Sequence, residues 1–198
     1  DQKHSDSMIY IGKIHLKGLG VEKDINKAKE YFELSAQQNN SRASLYLGKL
    51  YLIDNNNSET KYQKAIECFI KSGLNNNSKS ILNLGKMYYQ GTGIKQNYKK
   101  AFEYFNLSAE KGNLTAHYYL GLMFENKKGC EKDLSKAISH YEKCSNVHNS
   151  NIAFNYDDNH CRFEKNKINK SQYIACNTLG LIYILEKKFF DKEKALSY

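Results

Sequence analysis

Proline and tryptophan are missing from the 198 residues, and arginine is nearly so, with 2 against 28 lysines. Together with 22 asparagines and 16 tyrosines, this is the bias that AT-rich coding produces, so part of it carries no functional message. The scarcity of arginine bears on the net charge of +9. Nucleic-acid readers favour arginine for bidentate contacts, and the lysines here are spread along the chain, so no nucleic-acid partner is expected. No run of about 18 apolar residues occurs, which excludes a helical membrane span within these residues. The chain begins Asp1-Gln2-Lys3-His4, with neither initiator methionine nor apolar leader, and reads as an excised piece whose targeting segments lie outside it.

Cysteine is present five times, at 68, 130, 144, 161 and 176, without a CxxC. An odd count without that spacing is neither a zinc signature nor a disulfide framework. Cys130 and Cys144 flank one predicted helix and stand about 20 Å apart, too far to bridge. Cys144 with Cys176 is compatible with a helix end meeting the next helix start; buried free thiols are the other reading.

What is present is a repeat. A small residue, three others, then Leu/Ile-Gly recurs five times: Ser7 to Gly12, Ala43 to Gly48, Ser80 to Gly85, Ala116 to Gly121 and Ala175 to Gly180. The glycines are spaced by 36, 37, 36 and 59 residues, the last interval being one period plus 23 inserted residues. A Lys-Ala pair keeps step with them: Lys27-Ala28, Lys64-Ala65, Lys100-Ala101, Lys136-Ala137 and Lys194-Ala195.

Each copy reads as two helices. Ala43, Leu47, Leu50 and Tyr51 fall on one face of the first. Gly48, unfavourable in a helix interior by up to about 1 kcal/mol, reads as permitting close backbone approach by the partner helix. Gly18-Leu19-Gly20 and Gly91-Thr92-Gly93 are expected in a turn with positive φ. Asp24, Asn97, Asp133 and Asp191 are expected N-caps of the second helix, which buries Ala28, Phe32 and Ala36, or Ala101, Phe105 and Ala109. The second copy replaces its glycine turn with Asp54-Asn55-Asn56-Asn57-Ser58. Because neither helix can bury its apolar face alone, the copies are expected to stack. The expected fold is one all-α domain over 1–198, a right-handed superhelical α-solenoid. Its repeats run over 7–42, 43–79, 80–115 and 116–145, followed by an insertion at 146–170 and a truncated repeat at 171–198.

These residues resemble the Sel-1-like repeat, a relative of the tetratricopeptide repeat. The pattern is carried by "RASLYLGKLY", "LGKMYYQGTGIKQNYKKAFEYFNLSAEKGN" and "GLGVEKDINKAKEYFELSAQQ". A narrower resemblance, through residues 84–124 and the irregular segment downstream, is to the Sel-1/Hrd-three branch of lumenal adaptors. That resemblance implies a scaffold of the Hrd-type ubiquitin ligase in endoplasmic-reticulum-associated degradation, located in the lumen. Its partners would be a ligase subunit, a lectin cofactor or a misfolded client, with membrane association only through partners or outside segments. A cytosolic or signalling adaptor is the alternative, and an enzyme with a repeat-lined groove a third. Sequons at Asn39, Asn56, Asn76, Asn113 and Asn169 agree with a secretory compartment. A sixth, at Asn106, falls within a predicted helix, and an asparagine-rich chain also generates sequons by accident.

Other motifs take structural readings. Gly91-Thr92-Gly93 lacks the Lys-Ser pair and preceding strand of a phosphate loop. His140 and Cys144 share i, i+4 spacing, yet two ligands do not close a metal site. His160-Cys161 in the insertion is no stronger. No nucleophile, acid-base pair or cofactor motif stands out, so the chain is expected to be non-enzymatic and without a cofactor. The candidate partner-binding groove comes from the first helices. Ile9, Leu45, Leu82, Tyr118 and Asn177 stand two residues after each repeat's small residue, and Lys13, Lys49, Lys86, Leu122 and Leu181 six after it. Stacked, they form an apolar stripe beside a lysine row suited to an extended acidic peptide. Packing of the first set against the neighbouring first helix is the alternative.

Overall fold

The computed structural model describes residues 2–54 and 59–145, with isolated helical positions at 171, 174, 175, 178 and 182. The described residues form eight α-helices and no strand, an all-α helical-repeat fold. The chain divides into two compact units, Asp1–Gly112 and Asn113–Tyr198. The first holds α1 (Gln2–Lys17), α2 (Ile25–Gln37), α3 (Ser41–Ile53), α4 (Glu59–Leu74), α5 (Ser78–Gln90) and α6 (Tyr98–Glu110); the second holds α7 (Leu114–Glu125) and α8 (Leu134–Ser145). In the first unit α1 pairs with α2, α3 with α4 and α5 with α6, while α2 packs on α3 and α4 on α5. In the second, α7 pairs with α8. The insertion, most of the fifth repeat with Lys194-Ala195, and the expected cap Asp191 lie outside the described residues.

Local chemistry starts and stops each helix. The expected caps Asp24, Asn97 and Asp133 accept from the backbone N–H of Lys27, Lys100 and Lys136 at 2.9, 3.0 and 2.9 Å. That bond holds the Asp133 carboxyl below its ordinary range. Each cap also donates its own N–H to a first-helix carbonyl, that of His15, Tyr88 or Phe124, which fixes the turn between the two helices. The turns use the left-handed region, with Gly18 at φ 69°, Gly91 at 73° and Lys127 taking the same place at 53°. First helices are capped too: Asn40, Asn77 and Asn113 accept from the amides of Arg42, Ser80 and Thr115. The residue before each of these caps is left-handed, as Asn39 (59°), Asn76 (61°) and Gly112 (77°).

The recurrent spacing of glycine has a different cause from the one its helix position suggests. A Cβ added to Gly12, Gly48, Gly85 or Gly121 would stand 2.6, 2.5, 2.7 or 2.5 Å from a ring carbon of Phe32, Phe69, Phe105 or Tyr141. What approaches the first helix so closely is an aromatic side chain of the second helix, and the space it occupies is the missing methyl. These four rings are fully buried, each contributing on the order of 1.5–3 kcal/mol of transfer free energy. Beside them Ala28, Ala65, Ala101 and Ala137 are fully buried, which accounts for the alanine of the Lys-Ala pair.

Within the first unit a serine ties each second helix to the start of its first. Ser35 Oγ donates to the Ser5 carbonyl at 2.9 Å, Ser72 Oγ to that of Ser41 at 2.6 Å, and Ser108 Oγ to that of Ser78 at 2.8 Å. Each buried hydroxyl thereby keeps a partner, so its burial costs little.

Candidate interaction surface

Ile9, Leu45 and Leu82 do not form an open apolar stripe: their side chains are 0, 5 and 7 % exposed. Ile9 belongs to a core cluster with Phe32, Ala43 and Leu47, and Leu45 to one with Phe69, Leu84 and Met87. At Ile9 and Leu45 the position two residues past the small residue faces the next repeat, because the first helices of these neighbouring copies close over the same core. The packing alternative is the arrangement that Ile9 and Leu45 adopt, and Leu82 is buried. Tyr118 and Leu122 belong to the second unit, half-buried, with the Tyr118 ring 5.3 Å from that of Tyr119 and 6.3 Å from that of Tyr141. Asn177 and Leu181 lie outside the described residues.

In the lysine row Lys49 is exposed and Lys13 and Lys86 are half-buried, and the row comes with tyrosines that the sequence pattern did not flag. Lys13 Nζ lies 5.2 Å from the centre of the Tyr10 ring and 5.0 Å from that of Tyr46, one repeat further on. Lys49 Nζ approaches the same Tyr46 ring at 5.9 Å. Two ammonium groups from successive first helices thus share one aromatic ring, which is also stacked on Phe32 at 5.0 Å. Lys86, in the third repeat, has its pKa lowered by burial and by the nearby charge of Lys49. Tyr10 is 57 % exposed. The result is a cationic band over α1, α3 and α5 that carries tyrosines on α1 and α3. A signal was available in the sequence: Tyr10 and Tyr46 stand at the same place in their repeats, three residues before Lys13 and Lys49.

The lysine of the Lys-Ala pair has a separate task. Lys64, Lys100 and Lys136 place Nζ 5.8, 5.3 and 5.6 Å from the rings of Tyr51, Tyr88 and Phe124, bridging second helix to first. These lysines serve the hairpin itself and are distinct from the band.

Asn39 and Asn76 are exposed at left-handed junction positions, and Asn76 Oδ1 accepts from Lys111 Nζ at 2.6 Å. Asn113 is half-buried as an N-cap, and Asn106 sits in α6 with Nδ2 donating to the Phe102 carbonyl. Asn56 and Asn169 lie outside the described residues, as do His160, Cys161 and Cys176 and with them the Cys144–Cys176 pairing. His140 turns to His117, its Nδ1 3.0 Å from the other Nδ1, while Cys144 is buried. Among the described residues no three His, Cys, Asp or Glu side chains are grouped to hold a metal. Burial pushes the Cys68 thiol up to about 11 and raises that of Cys130 as well, which makes both poor nucleophiles.

The Sel1 repeat model matches residues 5–40, 41–77, 78–113 and 114–145. No curated protein matches the chain. Among solved structures, a protective antigen of uropathogenic Escherichia coli strains displaying an SLR fold superposes with a TM-score of 0.65 at 29% identity, over 73% of this chain and 31% of that one. A Sel1 repeat protein from Oxalobacter formigenes superposes with a TM-score of 0.62 at 28% identity, over 73% and 59%. This chain therefore spans less than two thirds of the length of either relative. With four matched repeats covering most of its length and hairpins built on the same glycine, alanine and aromatic positions, the chain belongs to the Sel1 repeat family.

Proposed function

We propose that this Sel1-repeat protein is a non-catalytic interaction scaffold that binds an extended acidic segment of a partner protein along the first-helix band of its first unit. The observation that carries the reading is the convergence of Lys13 and Lys49 on the Tyr46 ring, with Lys86 continuing the row. Three ammonium groups recur once per repeat, as an extended chain crossing successive helices would require. The tyrosines offer flat apolar contact with little side-chain entropy to lose, and the lysines provide attraction at range and orientation.

The experiment is fluorescence anisotropy with a labelled Asp/Glu-rich peptide, against a Lys-rich peptide of equal length. Replacing both Lys13 and Lys49 by Glu is expected to weaken acidic-peptide binding about tenfold or more at low salt, with binding falling as salt rises. Equal binding of both peptides, or an unchanged Kd in that variant, would sink the reading.

A finer reading makes the partner a component of the Hrd-type ligase in the endoplasmic reticulum lumen. It is supported by the resemblance of residues 84–124 to that branch and by the exposed sequons at Asn39 and Asn76. Affinity purification from secretory membranes is expected to recover a ligase or lectin component and an Asn39-modified chain; recovery of neither counts against it.

A further inference from the structure

The α7–α8 hairpin differs from the three before it at two facing positions. Where the second and third hairpins hold Ser44 and Ile81 on the first helix and Cys68 and Tyr104 on the second, this one holds His117 and His140. Their Nδ1 atoms are 3.0 Å apart and their ring centroids 5.2 Å, close to the greatest separation that two imidazoles can have at that N···N distance. The rings therefore meet end-on, with one N–H aimed at the other's lone pair. A separation of 3.0 Å is that of two nitrogens sharing one hydrogen. Phe124 stacks on His140 at 5.5 Å and shields one side of the pair.

We propose that the His117–His140 pair is a proton-operated latch, holding α7 to α8 while both rings are neutral and loosening the hairpin as the medium acidifies. It goes beyond the acidic-segment reading and does not rest on it. In the neutral pair one Nδ1–H donates to the bare Nδ1 of its neighbour. A first proton on the acceptor's Nδ1 destroys that bond. On the donor's Nε2 it keeps the bond but puts a cation into a half-buried site. A second proton sets N–H against N–H.

The surroundings oppose protonation. Burial lowers the pKa of both imidazoles, that of His140 to about 4. Lys143 adds its charge against both rings, and His117 against His140. Lys136 sits over the shielding Phe124 ring at 5.6 Å, and Glu125 is engaged by the Tyr141 hydroxyl at 2.6 Å. Among the described residues no carboxylate acts on either ring. Both folded-state values lie below that of an unfolded imidazole, about 6.5. As pH falls from about 6.5 to 4 the unfolded hairpin takes up protons first, so the latch is whole above this window and lost through it.

The test is amide hydrogen exchange on the full chain at pH 7 and 4.5, corrected for intrinsic rates, with a His117→Ser/His140→Tyr variant that installs the residues used by sister hairpins. Acidification is expected to lower protection of α7 and α8 about tenfold or more relative to α1–α6, and the variant to lose that difference. A uniform loss across all helices, no loss at all, or an undiminished loss in the variant would overturn the proposal. Should the variant fail to fold, imidazole NMR of the unaltered protein decides. Both signals titrating below the ordinary 6.5, that of His140 near 4, support the latch, and ordinary titration near 6.5 overturns it.

Discussion

Gly48 lies directly beneath the Phe69 ring, so that a methyl group at 48 would stand 2.5 Å from Phe69 Cε1. Two effects oppose each other when that methyl is added. Alanine favours the helix over glycine by up to about 1 kcal/mol, while overpacking a filled core costs about 1–3 kcal/mol. Because the obstructing atoms belong to a fully buried ring that cannot swing away, packing wins. Gly48→Ala is expected to lose about 1–2 kcal/mol in chemical denaturation. Combined with Phe69→Leu it should cost clearly less than the sum of the two single changes. Strict additivity would show that the ring and the glycine do not share one space.

The serine ties make a second prediction. Ser72 Oγ donates to the Ser41 carbonyl and accepts from Ser80 Oγ, both at 2.6 Å. Ser72→Ala removes two bonds and strands a buried hydroxyl at Ser80, at a cost of about 1–3 kcal/mol. Removing Ser80 Oγ as well should recover part of that loss. Denaturation midpoints of the two variants settle the order.

Asn40 combines two tasks: its Oδ1 caps α3 and its Nδ2 donates to Asp6 Oδ1 at 3.0 Å. Asn40→Ala should lose about 1–2 kcal/mol. Asn40→Asp keeps the cap but turns a carboxylate toward Asp6, so it should fall between the two at neutral pH. Lowering the pH to protonate the carboxyls should draw it toward the original protein.

For Cys68 the prediction concerns alkali. Its folded-state pKa of about 11 lies above the ordinary value of 9.0. Between these values the unfolded chain ionises first, so this thiol's contribution to stability is complete below pH 9 and lost as pH rises toward 11. Thiolate absorbance should accordingly rise for Cys68 only near pH 11 in the folded protein and near 9 in denaturant. A folded-state midpoint near 9 would contradict the burial argument.

Much of this architecture is legible in the one-dimensional pattern, because the repeat writes its helix caps and its smallest residues at fixed intervals. Asp24, Asn97 and Asp133 could be named as caps from their distance to the Lys-Ala pair, since capping is settled within four residues. The glycine's role was legible as close approach but not as ring against backbone, for the partner lies some 20 residues away on another helix. The fate of Ile9, Leu45 and Leu82 was open for a related reason: an apolar residue at the edge of a helical face serves equally a groove or the next repeat. Pairings such as Lys13 with Tyr46, Ser72 with Ser80 and His117 with His140 cross between helices. They emerge only once helix is set against helix.

The junctions between hairpins carry one more consequence. At Asn39 and Asn76 asparagine has taken over the left-handed position that Gly112 fills further on, and the asparagine after each is the cap of the next helix. Serine follows as the first helical residue, so the geometry of stopping and restarting spells an oligosaccharide acceptor as a by-product. Were this chain exposed to the glycosylating machinery, its sugars would stand at the seams, one repeat apart, leaving the lysine-and-tyrosine band uncovered.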